Sequence, residues 1–144
     1  MIAIASDHGG FELKEAVKKH LEKRGLEYKD FGTNDMNSCD YPDFGIPAAK
    51  AVGSGECDRG IVICTTGIGI SMVANKIKGV RCALCSEKTS ARLTREHNDA
   101  NMLAMGGGMI GTLQALDIVD TFLDTPFSEE EKHKRRVAKI NSIM

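Results

Sequence analysis

A cysteine ends an apolar run and stands directly before a glycine-rich segment. Cys64 closes the run 60–64, and residues 65–71 read Thr-Thr-Gly-Ile-Gly-Ile-Ser. Glycines at these positions allow a tight turn whose amide hydrogens can face an anion at the start of a helix. Such a place favours the thiolate of a cysteine, which can then act as a base or a nucleophile. The alternative is that Cys64 is a small buried residue that only completes a strand.

Three familiar phosphate-binding patterns do not fit this segment. The dinucleotide pattern Gly-x-Gly-x-x-Gly would need a glycine where Met72 stands, and the chain has no Gly-Lys-Ser or Gly-Lys-Thr tripeptide of a nucleotide P-loop. A cysteine phosphatase would need an arginine six positions after its nucleophile to grip the phosphoryl oxygens, but Ile70 occupies that position. The sequence therefore disfavours nucleotide binding and phosphatase chemistry.

Two ionisable side chains follow the first apolar run of the chain. Asp7 and His8 come directly before Gly9 and Gly10. A carboxylate here can bind sugar hydroxyls, and an imidazole can contact a phosphate or move protons. Asp7 can equally cap the helix that follows, because aspartate accepts hydrogen bonds from the free amides of a helix start. Both interpretations of Asp7 can hold at once.

Residues of two later helices are further candidates. His97 and Asn98 stand at the end of a predicted helix, where a histidine can simply complement the helix dipole. Lys132 and Arg136 are four residues apart and share a helical face that could hold a phosphate. The alternative for this face is a solvated surface paired with the acidic run 129–131.

The remaining cysteines and histidines form no recognisable site. Cys82 and Cys85 resemble half of a zinc site, but no second pair or histidine has a suitable spacing. We therefore predict no metal site and expect these cysteines to pack within a strand. His20 and His133 are expected at the surface.

The candidates are positioned by apolar runs that alternate with helical patterns. Strands are predicted at 2–5, 27–31, 60–64, 80–84 and 101–105. Helices are predicted at 11–24, 43–52, 70–77, 88–97 and 113–123. Such alternation is typical of parallel strands joined by helices. Ser128 and Glu131 form a capping box ahead of a last helix, expected over about 128–140 and packed at a dimer interface or the active site.

We therefore expect one α/β domain over residues 1–144, a three-layer α/β/α Rossmann-like sandwich with a five-stranded parallel sheet. Ligands of such folds bind in the crevice beyond the carboxyl ends of the strands. The segments 6–10, 64–69 and 106–108 follow three of the predicted strands and are polar or glycine-rich. The functional site is expected where these segments meet.

Composition disfavours several classes of protein. The 144 residues carry 19 basic and 20 acidic side chains, so the net charge of −1 gives no general attraction to nucleic acid or to an anionic membrane. Trp is absent, which removes the stacking platforms of single-strand binders. The chain has no run long enough for a membrane span, no basic start of a signal peptide and an odd number of cysteines. We expect a cytoplasmic protein that binds neither nucleic acid nor membranes.

Four motifs together resemble the ribose-5-phosphate isomerase B family, which also includes galactose-6-phosphate and allose-6-phosphate isomerases. They are Ser6-Asp7-His8-Gly9-Gly10, Asp40-Tyr41-Pro42-Asp43, Cys64-Thr65-Thr66-Gly67-Ile68-Gly69 and His97-Asn98-Asp99-Ala100-Asn101. The resemblance covers essentially the whole chain. It implies an aldose–ketose isomerase of the pentose phosphate pathway that interconverts ribose 5-phosphate and ribulose 5-phosphate through a cis-enediolate. It also implies no metal and no organic cofactor, and an active site between subunits of a homodimer or a dimer of dimers.

The same resemblance implies a role for each candidate residue. Cys64 resembles the proton-transferring base, assisted by Thr66, and His97 resembles the acid and base that opens the sugar ring. The implied ligands are Asp7 and Asn98 for the sugar, His8, Lys132 and Arg136 for the phosphate, and Thr65, Gly67, Ile68 and Gly69 for the developing oxyanion. Some relatives instead use a glutamate base six positions after the cysteine, where this chain has Ile70.

Two positions depart from the family pattern. Gly108 and Lys132 stand where the family commonly has arginine. Lys132 can still neutralise a phosphate, but it lacks the bidentate fork of arginine. These departures leave two alternatives open: an isomerase of a six-carbon sugar phosphate, for which Gly108 would make room, and a non-catalytic sugar-phosphate sensor. The presence of Cys64 and His97 disfavours the sensor.

Overall fold

A computed structural model of the chain describes residues 1–143. The strands are β1 (Ile2–Ser6), β2 (Tyr28–Asp30), β3 (Arg59–Cys64), β4 (Cys82–Leu84) and β5 (Met102–Gly106). The helices are α1 (Phe11–Lys23), α2 (Tyr41–Gly53), α3 (Ile68–Ala74), α4 (Lys88–Asn98), α5 (Thr112–Asp124) and α6 (Glu131–Asn141). A short 3₁₀ turn, His8–Gly10, links β1 to α1.

The strands form one parallel sheet in the order β2-β1-β3-β5-β4. In its centre, Ile4 of β1 lies opposite Ile61 of β3, which lies opposite Leu103 of β5. Parallel neighbours need a crossover between them, and each crossover here contains a helix. The predicted α/β fold with a five-stranded parallel sheet is confirmed.

Helices cover both faces of the sheet. The core under α1, α4 and α5 contains Val17 and Phe122, and the core under α2 and α3 contains Val52 and Ile70. These two cores and the sheet between them form the three predicted layers. The last helix, α6, packs against α4. Within residues 1–143, no helix has both the length and the apolar character that a membrane span requires.

A buried lysine ties α1 to the end of β2 and to the neighbourhood of the expected site. The side chain of Lys14 is fully buried, and its Nζ lies 2.7 Å and 2.9 Å from the two carboxylate oxygens of Asp30. Lys14 Nζ also donates a hydrogen bond to the Thr33 carbonyl at 2.5 Å. The amide of Thr33 donates in turn to the Ser6 carbonyl at 2.6 Å. This network fixes the loop after β2 against the end of β1, next to Asp7.

The predicted start of the last helix is wrong. Helix α6 begins at Glu131, and its N-cap residue Glu130 makes no side-chain capping bond. The Ser128 amide donates to the carbonyl of Glu96 in α4 at 3.3 Å, and Glu129 adopts a left-handed φ of 63°. The chain therefore turns between Ser128 and the helix, so the predicted capping box does not form. The other helices and the strands lie within a few residues of their predicted positions. Helices α2 and α3 each begin two residues before their predicted starts at 43 and 70.

Candidate active site

Three loops meet at the carboxyl edge of the central strands. The loops follow Ser6 of β1, Cys64 of β3 and Gly106 of β5. The chain leaves β1 toward β2 on one side and leaves β3 toward β4 on the other side. The gap between β1 and β3 is therefore a topological switch point. Ligands of open α/β sheets bind in such crevices.

The sulfur of Cys64 faces an amide of the loop that follows it. Cys64 packs among the apolar residues under α2 and α3 and is 5% exposed, and its Sγ accepts a hydrogen bond from the Gly67 amide at 3.1 Å. Gly67 has a φ of 78°, and a Cβ there would lie 2.7 Å from the carbonyl carbon of Met105. Glycine is therefore required for the turn that aims this amide.

Backbone hydrogen bonds fasten the other two loops to this one. The amide of Gly107 donates to the Cys64 carbonyl at 2.8 Å, and the amide of Gly108 donates to the Thr65 carbonyl at 2.9 Å. On the other side, the Asp7 amide donates to the carbonyl of Ile63 at 3.3 Å. The three loops therefore form one connected wall around the crevice.

Asp7 and His8 lie beside Cys64 in this crevice. The carboxylate of Asp7 is buried, and its Oδ1 accepts from the Gly10 amide at 3.1 Å, so the capping role is present. The Nδ1 atom of His8 accepts a hydrogen bond from the Cys39 amide at 3.2 Å. Since Nδ1 acts as the acceptor, a neutral His8 carries its proton on Nε2 and can donate it to an anion.

The glycine-rich segment presents side chains of different exposure. Thr65, Thr66 and Ile68 are exposed, and Thr66 Oγ1 accepts from the Ile68 amide at 3.2 Å. Ile70, by contrast, is fully buried. Tyr41 covers the segment, because a Cβ on Gly69 would lie 2.7 Å from the Tyr41 ring. Sequence reasoning assigned Tyr41 no role, although it belongs to one of the four motifs.

The other group of candidates lies at the opposite edge of the sheet. His97 and Asn98 end α4, and the chain then enters β5 at Met102, beside the beginning of β3. Cys64 lies at the far end of β3, which is about 13 Å along the strands at 3.3 Å per residue. One chain therefore does not bring His97 and Asn98 together with Cys64, Asp7 and His8.

His97 stacks on a histidine of the last helix. The rings of His97 and His133 are 4.5 Å apart at 16°, and His133 is 7% exposed. The expectation that His133 lies at the surface is therefore wrong, because α6 packs this side chain against α4. Burial, together with the neighbouring His97, lowers the pKa of His133 below its usual value. This buried imidazole had no signal in the sequence beyond its place in a basic run.

The basic residues near this stack remain exposed. Lys132 Nζ lies 3.7 Å from a carboxylate oxygen of Glu130. This pairing agrees with the alternative in which the helix face is a solvated surface paired with the acidic run 129–131. Arg136 is exposed and has no ion pair within residues 1–143. In the same described part of the chain, no three Cys, His, Asp or Glu side chains converge as a metal ion would require.

Comparisons with known proteins match this chain along almost its whole length. The family model described as Ribose/Galactose Isomerase matches residues 2–140. The putative sugar phosphate isomerase YwlF of Bacillus subtilis is 48% identical over 97% of this chain and 94% of its own length. Ribose-5-phosphate isomerase B of Escherichia coli is 46% identical over 99% of this chain and 95% of its own length. The solved structure of Clostridium thermocellum ribose-5-phosphate isomerase B superposes with a TM-score of 0.96 at 56% identity, over 99% of this chain and 95% of that one.

Proposed function

This chain belongs to the ribose/galactose isomerase family, and we propose that it interconverts ribose 5-phosphate and ribulose 5-phosphate. It is an isomerase, like the relatives that share its fold and nearly its whole length. The observation that carries the proposal is Cys64, which lies at the switch point with its sulfur facing the Gly67 amide. A base beside amide donors is what an aldose–ketose isomerisation requires.

In the proposed reaction Cys64 acts as the base. Its thiolate removes the proton from C2 of the open aldose, electrons shift to the C1 carbonyl, and a cis-enediolate forms. The proton is then returned to C1 as the carbonyl forms at C2, and a second proton passes from O2 to O1, so no atom is gained or lost. Amides of the segment 65–69 stabilise the oxyanion, and Thr66 assists the proton transfer. Such donors are worth roughly 3–4 kcal/mol each in a transition state.

The proposed sugar and phosphate ligands of the same chain are Asp7 and His8. The Nε2 proton of His8 can be donated to a phosphate oxygen, because Nδ1 already accepts from Cys39. The reaction moves two protons within the substrate and transfers no electrons between molecules, so we propose that it needs neither an organic cofactor nor a metal. The enediolate charge is met by amides instead.

The ring-opening residue is proposed to come from a second copy of the chain. His97 and Asn98 lie at the opposite edge of the sheet from Cys64, together with Lys132 and Arg136 of α6. A two-fold homodimer, or a dimer of such dimers, places this edge of one copy over the crevice of the other and completes two equivalent sites. Arg136, which is exposed, then supplies a cation for the phosphate.

Proton NMR in deuterated water with chelator tests the reaction. We expect ribose 5-phosphate to be converted and deuterium to appear at C1 of the ketose, with allose 6-phosphate and galactose 6-phosphate converted far more slowly. Cys64→Ala should abolish exchange. Cys57→Ala is the control and should keep it, because Cys57 lies before the start of β3, at the edge of the sheet opposite Cys64. Binding without exchange would identify a sensor, and exchange that depends on added metal would refute the proposed mechanism.

Mixing two inactive variants tests the shared site. Cys64→Ala and His97→Ala proteins should each be inactive. After subunit exchange, about a quarter of the wild-type activity should return, because half of the dimers are mixed and each has one intact site. A mixture that stays inactive, although mass spectrometry shows that mixed dimers have formed, would refute a site built from two copies.

A further inference from the structure

The side chain of Thr65 fills the space between two loops of the crevice. A Cβ on Gly9 would overlap Thr65 Oγ1 and would lie 3.2 Å from Thr65 Cβ. A Cβ on Gly108 would lie 3.0 Å from Thr65 Cγ2, a distance that forces a neighbouring atom to move. Thr65 therefore occupies the volume that side chains at positions 9 and 108 would need.

Backbone hydrogen bonds prevent these loops from moving apart. Gly108 donates to the carbonyl of Thr65 itself at 2.9 Å, and Gly107 donates to the Cys64 carbonyl at 2.8 Å. A Cβ at position 108 is therefore accommodated only if the Thr65 methyl group gives way by a few tenths of an ångström. The glycine at 108 and the threonine at 65 are thus packed against each other, and a side chain at one position constrains the side chain at the other.

We infer that Thr65 is a specificity-determining residue that limits the length of the sugar phosphate. The inference rests on the proposed function, in which Cys64 is the base and His8 holds the phosphate. Thr65 follows Cys64 directly and packs on Gly9, the residue after His8, so its side chain stands on the wall that joins these two groups. A six-carbon substrate needs one more carbon between its reacting end and its phosphate, and Thr65 occupies the space for it.

Substrate preference in Thr65 variants tests the inference. The values of kcat/KM for ribose 5-phosphate and allose 6-phosphate are measured for the wild type, Thr65→Ala and Thr65→Val. Thr65→Ala should raise the ratio of allose 6-phosphate to ribose 5-phosphate by about tenfold or more, the usual effect of one carbon in a tight pocket. Thr65→Val retains the volume without the hydroxyl and should leave the ratio within about threefold of the wild type.

The outcomes separate this inference from the proposed function. If the wild type converts ribose 5-phosphate but Thr65→Ala leaves the ratio unchanged, only the length limit is refuted. Equal changes in the Ala and Val variants would show that the hydroxyl, and not the volume, decides the preference, and would also overturn the inference. A wild type that converts neither sugar phosphate would refute the proposed function itself.

Thermal denaturation tests the packing of Thr65 against Gly108 without any substrate. Gly108→Ala should lower the melting temperature, and Thr65→Ser, which removes Cγ2, should restore most of the loss in the double variant. Gly111→Ala is the matched control, because a Cβ there meets no atom within 4 Å. A double variant that melts as low as Gly108→Ala alone would contradict the contact on which the inference depends.

Discussion

Replacing Asp30 by asparagine should destabilise the protein by about 3 kcal/mol, because the buried Lys14 would lose its carboxylate partner. Lys14 is fully buried, and its Nζ lies 2.7 Å from Asp30 Oδ1. At an effective dielectric constant of about 20, two unit charges this close attract by about 6 kcal/mol. Asp30 is 17% exposed, so water screens part of this attraction, and we take the lower end of the range of roughly 3–5 kcal/mol for a broken buried pair.

The loss should depend on pH in a defined direction. Burial opposes ionisation of Asp30, but hydrogen bonds from Lys14 and Lys18 outweigh it and lower the pKa of this carboxyl. A carboxyl whose pKa is lowered by folding stabilises the protein above its unfolded pKa of about 3.9. This contribution disappears as the pH falls through the folded value. The difference in the free energy of unfolding between wild type and Asp30→Asn should therefore be largest near pH 7 and should shrink below about pH 4.

Urea denaturation followed by circular dichroism measures this difference near pH 7 and near pH 3.5. Asp117→Asn, which removes an exposed carboxylate of α5, is the control and should change the free energy of unfolding by less than about 0.5 kcal/mol. Lys14→Met combined with Asp30→Asn should recover much of the loss, because no charge is then left buried. A loss below about 1 kcal/mol in Asp30→Asn would refute the reasoning.

Three further predictions concern the site and the cysteines. Gly10→Ala should destabilise the protein by about 1–3 kcal/mol in urea and lower kcat/KM, because the added Cβ would lie 2.5 Å from the Ile63 carbonyl oxygen. Since folding lowers the pKa of His133, the wild type should lose stability as the pH falls below about 6.5, and His133→Phe should abolish this loss in urea titrations near pH 7.5 and 5.5. Burial raises the pKa of Cys82 to about 12 and that of Cys85 to about 11, so mass spectrometry should find both unlabelled by iodoacetamide near pH 8 in the native protein and labelled in urea.

The fold was largely predictable because the apolar runs of the strands and the periodicity of the helices agree. The run 60–64, for example, is apolar throughout, as expected of a parallel strand covered on both faces. The start of α6 was not predictable from local signals. Ser128 and Glu131 have the spacing of a capping box, but Ser128 is held by the carbonyl of Glu96 from another helix. A tertiary contact of this kind has no pattern in the local sequence.

The candidate site was predictable in one half only. Asp7, His8 and Cys64 follow central strands, and the carboxyl ends of parallel strands meet at one edge, so their proximity follows from the fold class. The burial of His133 depends on how α6 docks on α4, which the basic run 132–136 does not reveal. Tyr41, the first residue of α2, reaches the site by packing against Gly69 of α3, and this contact has no signal in the sequence.

The direction of the helices explains why one chain holds two separate groups of candidates. In a parallel sheet each crossover helix runs back against the strands, so a residue at the end of a helix lies at the edge opposite to a residue at the end of a strand. Cys64 ends a strand and His97 lies in the last turn of a helix, so no rearrangement of loops within one chain can join them. If two copies share the site as proposed, activity should therefore fall on dilution below the dimer dissociation constant while circular dichroism still shows a folded chain.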